Sequence, residues 1–220
     1  MNDKQNISLN IGAGKTFIPG FINIDISNKA DISLNLSEEK LPFADSSVDV
    51  IFTYHTLEHV PNYLFALSEM YRVLKNGGIL LIGVPYVTLT EFHLVNPYHL
   101  HNFNEHSFSF FDSSKLKGSA EEENTINLSK VFHRYHYIGF FNLMPPPIRG
   151  WCRRHLFNVV RKIDFGLVAV KSESNDCENV TSAQLRKMFD HLMGSRISHG
   201  QKTGQPRNLA RRVYSWWRGL

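Results

Sequence analysis

The chain has 220 residues, of which 42% are hydrophobic, 12% aromatic and 20% charged, a composition that excludes a disordered, collagen-like or coiled-coil protein. The polar opening segment carries no secretory signal, no apolar run reaches the ~18–20 residues needed to span a bilayer, and two cysteines make neither a disulfide framework nor a thiolate metal site, so a reduced, cytoplasmic compartment is expected. Residues 1–171 hold 16 basic and 16 acidic residues, so the net charge of +4 lies wholly in residues 172–220, which disfavours a basic nucleic-acid-binding core.

Ser8–Ile11 reads as a short strand ending in glycines, Phe21–Ile24 as a second ending at Asp25, and Ile32–Leu36 as a third. Val48–Tyr54 is β-branched, aromatic and almost continuously apolar, the mark of a strand buried on both faces. Pro61 then opens a helix whose Leu64, Leu67, Tyr71 and Leu74 recur at three- and four-residue spacing, with Asn76-Gly77-Gly78 as its stop. Ile79–Val84 is another buried strand. Strand, helix and buried strand in that order predict an α/β fold built on a parallel sheet.

Beyond Pro85 the pattern changes. Residues 86–112 read as a long polar and aromatic loop with a short helix after Asn104, and residues 117–130 as a surface insertion that includes the solvated Glu121, Glu122 and Glu123. Val131–Phe141 and Ile163–Lys171 read as strands, separated by a segment whose Pro145, Pro146 and Pro147 argue against regular structure at its start. The core pattern is expected to end at Ser172. A helix over 181–193, a linker over 194–208 and an amphipathic basic-aromatic end over 209–219 complete the chain. The domain division is therefore 1–171, with 86–160 as its substrate lid, followed by a basic extension over 172–220.

Four features fall in a fixed order. LNIGAGKT places Gly12 and Gly14 directly after a strand, where glycines let backbone amides approach an anionic ligand. Asp25 ends the next strand, where a carboxylate can accept hydrogen bonds from ribose hydroxyls. Asn35 and Leu36 end the third. HTLEHV puts His55, Leu57, Glu58 and His59 at the C-terminal end of the buried strand, the edge at which open α/β sheets bind ligands. The segments LNIGAG, PGFINID, LPFADSSVDVI, HTLEH and RVLKNGG, in this order over residues 8–85, resemble the class I S-adenosylmethionine-dependent methyltransferases, and most of all a small type-11-like branch often associated with surface-polysaccharide pathways.

The resemblance implies a Rossmann-like, doubly wound, mostly parallel sheet, with IDFGLVAVK as its antiparallel last strand, and S-adenosyl-L-methionine as cofactor. It implies that Gly12, Ala13 and Gly14 pass beneath the methionyl part, with Asn10 where the family often has an acid. Asp25 would then hold the ribose with Ile26 near the adenine, Asn35 and Leu36 would lie along the adenine, and His55 and Leu57 would line the floor near the sulfonium. Only Lys15–Gly20 separate Gly14 from Phe21, so the first crossover helix is expected to be short or missing.

For transfer to a hydroxyl the protein must align the nucleophile and remove its proton. His55, His59, His99 and His101 are the candidates for base or substrate contact. The spacing of His93, His99, His101 and His106 matches no strong metal pattern, so no metal is expected. Arg149, Arg153 and Arg154 around Trp151 suit an anionic group or a solvated rim. Residues 141–158 and 209–219 mix rings with arginines and are candidates for peripheral membrane contact; packing of the same segments on the domain or in a homodimer is the alternative. The acceptor is expected to be a small molecule or a sugar, nucleotide- or lipid-linked, and no nucleic acid is expected. A methyltransferase-like binding protein without activity, and an NAD-dependent oxidoreductase, remain as rival readings.

Overall fold

The computed structural model describes residues 6–112, 126–171 and 180–198. Strands β1 (Ser8–Ile11), β3 (Ile22–Asp25), β4 (Ile32–Ser33), β5 (Val48–Tyr54), β6 (Leu74–Pro85), β7 (Leu128–Tyr137) and β8 (Val160–Ala169) form one sheet in the order β4-β3-β1-β5-β6-β8-β7. The pairings β1–β3, β1–β5, β3–β4 and β5–β6 are parallel, and β8 runs antiparallel to both β6 and β7. The expected mostly parallel sheet with an antiparallel last strand is thus present. So is the missing first crossover helix: between β1 and β3 there is only a two-residue strand, β2 (Thr16–Phe17), which pairs with β9 (Ile197–Ser198).

Strand β5 is buried on both faces, as its apolar run requires. Ile51 faces a cluster with Leu9, Leu67, Met70, Leu80 and Ile82, under helix α1 (Tyr63–Val73). Its neighbour Phe52 faces the other side, with Leu81, Phe132 and Ile18, under helix α3 (Ser182–Ser195). Side chains one residue apart on a strand point to opposite faces, so one apolar heptad serves two layers. Helix α1 starts where Asn62 accepts the amide of Phe65 at 3.2 Å. It ends at Val73, and Leu74 already pairs with Val48, so Asn76-Gly77-Gly78 lies within β6 and is not the helix stop.

Two further expectations are corrected. The core pattern does not end at Ser172. Helix α3, closed at its start by a reciprocal Thr181–Gln184 capping box, buries Leu185, Phe189 and Leu192 on the sheet. Nor do the three prolines keep their segment irregular. Pro145 caps helix α2 (Pro146–His155) and the next two occupy its first turn, where a proline forfeits no intrahelical hydrogen bond. The short helix expected after Asn104 is a 3-10 turn at Ser109–Phe111. The basic-aromatic end over 209–219, the Glu121–Glu123 loop and most of the 194–208 linker lie outside the described residues. Among those described, no helix is long and apolar enough to cross a membrane.

Candidate functional site

The ends of β3, β1 and β5 stand side by side at the C-terminal edge of the sheet. At the end of β1 the chain turns through Gly12 (φ 73°) and Gly14 (φ 58°). The amides of Gly12 and Ala13 both bond the Ile24 carbonyl, at 2.8 and 3.1 Å, which clips the turn onto β3. Asp25 at the end of β3 closes the arrangement: its Oδ2 accepts the Gly14 amide at 2.8 Å and its Oδ1 the Ser27 amide at 3.0 Å. A Cβ on Gly12 would lie 1.9 Å from Thr56 Oγ1, whereas one on Gly14 would meet nothing within 4 Å. The first glycine is required by packing, and the second opens onto space.

Asn10 is not on that open side. It is buried, and its Nδ2 donates to Asn23 Oδ1 at 2.8 Å, in a network that ties Asn23 to Asp31, Ile18 and Phe21. Beside this network a cavity of about 290 Å³ is lined by Ala13, Gly14, Phe17, Lys29 and Asp31, among others. Ile26 is exposed. Asn35 is half-buried and folds an Asx turn with Ser37, while Leu36 packs in the core. Leu57 is wholly buried.

At the end of β5, His55 adopts φ 54° with its amide bonded to the Gly83 carbonyl at 2.8 Å. A non-glycine residue in this region carries backbone strain, a condition concentrated at functional sites. His55 Nδ1 lies 3.0 Å from Glu58 Oε1. The Glu58 side chain is wholly buried, and its Oε2 has no hydrogen-bond partner among the described residues.

The loop after β6 is laid over this edge. Leu100 donates its amide to the Glu58 carbonyl at 2.7 Å. His59 Nδ1 bonds the Tyr98 carbonyl at 3.0 Å, and His101 Nε2 bonds the Val60 carbonyl at 2.9 Å. His101 is therefore tied to backbone. His93 lies buried in the loop with Nε2 2.7 Å from Asn102 Oδ1 and Nδ1 2.8 Å from His99 Nδ1. Burial pushes both the His93 and His99 imidazoles below the usual histidine range. His93 and Asn102 were not among the residues singled out for the site. Their sequence signal is a polar pair inside an aromatic loop whose Phe103 and Phe108 anchor it in the core.

Glu58, His59 and His99 come together with one potential ligand atom each, all within 4.8 Å of one another. The expectation of no metal rested on spacing along the chain. His59 and His99 are 40 residues apart, and only the folded loop brings them to one place. Around α2, Phe140, Leu143, Ile148, Trp151 and Phe157 are exposed. Arg153, by contrast, is drawn inward to Glu105 and Tyr135 and is not part of a solvated rim.

Residues 21–82 match a family model described as a methyltransferase domain. A probable S-adenosylmethionine-dependent methyltransferase of Mycolicibacterium smegmatis is 41% identical over 51 residues, 23% of this chain and 19% of that protein. Demethylmenaquinone methyltransferase of Oceanobacillus iheyensis is 34% identical over 86 residues, 33% of this chain and 36% of that protein. The chain thus spans little more than a third, at most, of these curated relatives. The crystal structure of a SAM-dependent methyltransferase from Archaeoglobus fulgidus, 15% identical, superimposes with a TM-score of 0.52 over 74% of this chain and 86% of that one, a likeness of fold. The matched segment makes residues 21–82 similar to a methyltransferase domain, and the order of the strands gives the sheet the Rossmann-like fold that such enzymes share.

Proposed function

We propose that this protein transfers a methyl group from S-adenosylmethionine to a hydroxyl of a small-molecule or sugar acceptor. The observation that carries the reading is the Asp25 carboxylate at the end of β3, bonded to Gly14 of the glycine turn. A carboxylate offers about four lone-pair sites, and two backbone donors engage Asp25. That leaves acceptor capacity for the two hydroxyls of a ribose, while the open face of Gly14 leaves room for the methionyl part. These residues fit the cofactor. When bound, it supplies an activated methyl group on a sulfonium.

The chain's own task is to hold the acceptor in line and take its proton. His55 suits the latter. A carboxylate can only accept, so the 3.0 Å contact puts the Nδ1 proton between His55 and Glu58 and leaves Nε2 as the basic atom. Glu58 thereby fixes the His55 tautomer in which Nε2 can take the proton that the acceptor oxygen releases as it gains the methyl carbon. His59 and His99 sit beside this pair. The exposed apolar residues around α2 fit an acceptor carried on a lipid.

Calorimetric titration with S-adenosylhomocysteine, with NADH in parallel, tests the cofactor. Micromolar binding of the former alone is expected, and Asp25→Ala should weaken it at least about tenfold, because a charge-assisted hydrogen bond is worth about 1.5–3 kcal/mol. Binding of NADH alone would favour an oxidoreductase. Cofactor binding without labelled methyl transfer to nucleotide-sugars, lipid-linked glycans or other hydroxyl acceptors would favour a binding protein.

A further inference from the structure

We propose that Glu58, His59 and His99 form a binding site for one divalent transition-metal ion, at the sheet edge beside His55. The ligand atoms already lie within 4.8 Å of one another. Ligands on one ion at about 2.1 Å stand at most about 4.2 Å apart, so small side-chain rotations close the set.

The hydrogen bonds around the cluster leave the atoms a metal needs. His59 donates its Nδ1 proton to the Tyr98 carbonyl, which leaves Nε2 with a lone pair. Asn102 Oδ1 takes the Nε2 proton of His93, so His93 Nδ1 is an acceptor and His99 Nδ1 is the donor to it. His99 Nε2 is then a lone pair as well. Metal-ligating imidazoles are held in this way, with the second nitrogen fixed by a carbonyl or another acceptor. Glu58 spends Oε1 on His55 and keeps Oε2 buried without a partner. A buried acceptor left unsatisfied is costly, and a bound cation removes that cost.

Two imidazoles and one carboxylate suit Zn²⁺, Mn²⁺, Fe²⁺ or Co²⁺ in preference to Mg²⁺ or Ca²⁺, which take oxygen ligands. Three protein ligands leave open positions, as in metal sites that bind an exchangeable water or substrate oxygen. The site stands on these residues alone. Its role, to hold the acceptor oxygen and lower its pKa, rests on the methyl-transfer reading.

The test uses the whole protein, stripped with a chelator and titrated with Co²⁺ by its visible absorption and with Mn²⁺ by calorimetry. One ion per chain is expected. His59→Ala, at an exposed position that tolerates truncation, and His99→Ala should each weaken binding more than the roughly 10–100-fold expected of the supporting His93→Ala, while His106→Ala changes nothing. Absence of binding, or binding unchanged in folded His59→Ala, overturns the site. S-adenosylhomocysteine titration of the same samples separates the two readings: its failure removes methyl transfer and leaves the ion site standing.

Discussion

Replacing Gly12 by alanine tests the geometry of the glycine turn directly. With φ at 73°, an L-residue there costs about 1–2 kcal/mol from backbone sterics alone. The added Cβ would also lie 1.9 Å from Oγ1, 2.3 Å from Cγ2 and 2.6 Å from Cβ of Thr56. The last of these atoms cannot be rotated away, and overpacking of this kind costs about 1–3 kcal/mol. Gly12→Ala should therefore lower the unfolding free energy by about 2–5 kcal/mol, the sum of those two effects. Removing the Thr56 side chain relieves the collision and leaves the backbone strain. In a urea-unfolding cycle, Gly12→Ala with Thr56→Gly should thus be less destabilising than the two single changes combined, by about 1–3 kcal/mol. A loss under about 1 kcal/mol for Gly12→Ala, or strict additivity in the cycle, would refute the packing of the turn against Thr56.

Phe189→Ala, at a wholly buried ring 5.4 Å from Phe52, should cost about 3–5 kcal/mol by thermal or urea unfolding; a surface-sized effect would mean that α3 is not docked on the sheet. Burial, with the nearby positive charge of Lys130, holds the His133 imidazole below its usual 6.5. The unfolded chain therefore binds the proton more readily, so stability is complete above about pH 6.5 and falls as the pH drops below it. His93 and His99 act in the same sense. Melting temperatures between pH 7.5 and 5.5 should decline, and His133→Phe should make the decline shallower; an unchanged slope would sink that assignment.

Local chemistry wrote β1, β5 and α1 clearly into the sequence. A continuous apolar run such as VDVIFTY has few alternatives, and its flanking turns bound it. The docking of α3 was less legible. Leu185, Phe189 and Leu192 recur at helical spacing, but nothing local says that the face opposite α1 lacks a crossover helix and awaits a cover. Pro145–Pro147 misled because proline forbids a helix interior and favours a helix start, and position within the element decides which applies. The glycine turn and Asp25 were readable because their places follow from strand ends. The meeting of Glu58, His59 and His99 was not, since it depends on how Phe103 and Phe108 anchor the loop over residues 86–112. Asn10 shows the opposite case: adjacent in sequence to the turn, it is spent beneath it on Asn23.

The pairing of β2 with β9 has a consequence in time. Thr16 is joined to Ser198 across the ladder and to the Arg196 side chain at 2.7 Å, contacts 180 residues and more along the chain. Chains are made from the N-terminus, so the segment that follows the glycine turn waits for its partner until residues 196–198 have left the ribosome. A nascent chain can assemble β1, β3 and β5 early, but the segment after the turn is braced only by residues made about 180 positions later. A chain interrupted before residue 196 would carry the glycines and Asp25 without the strand that braces them.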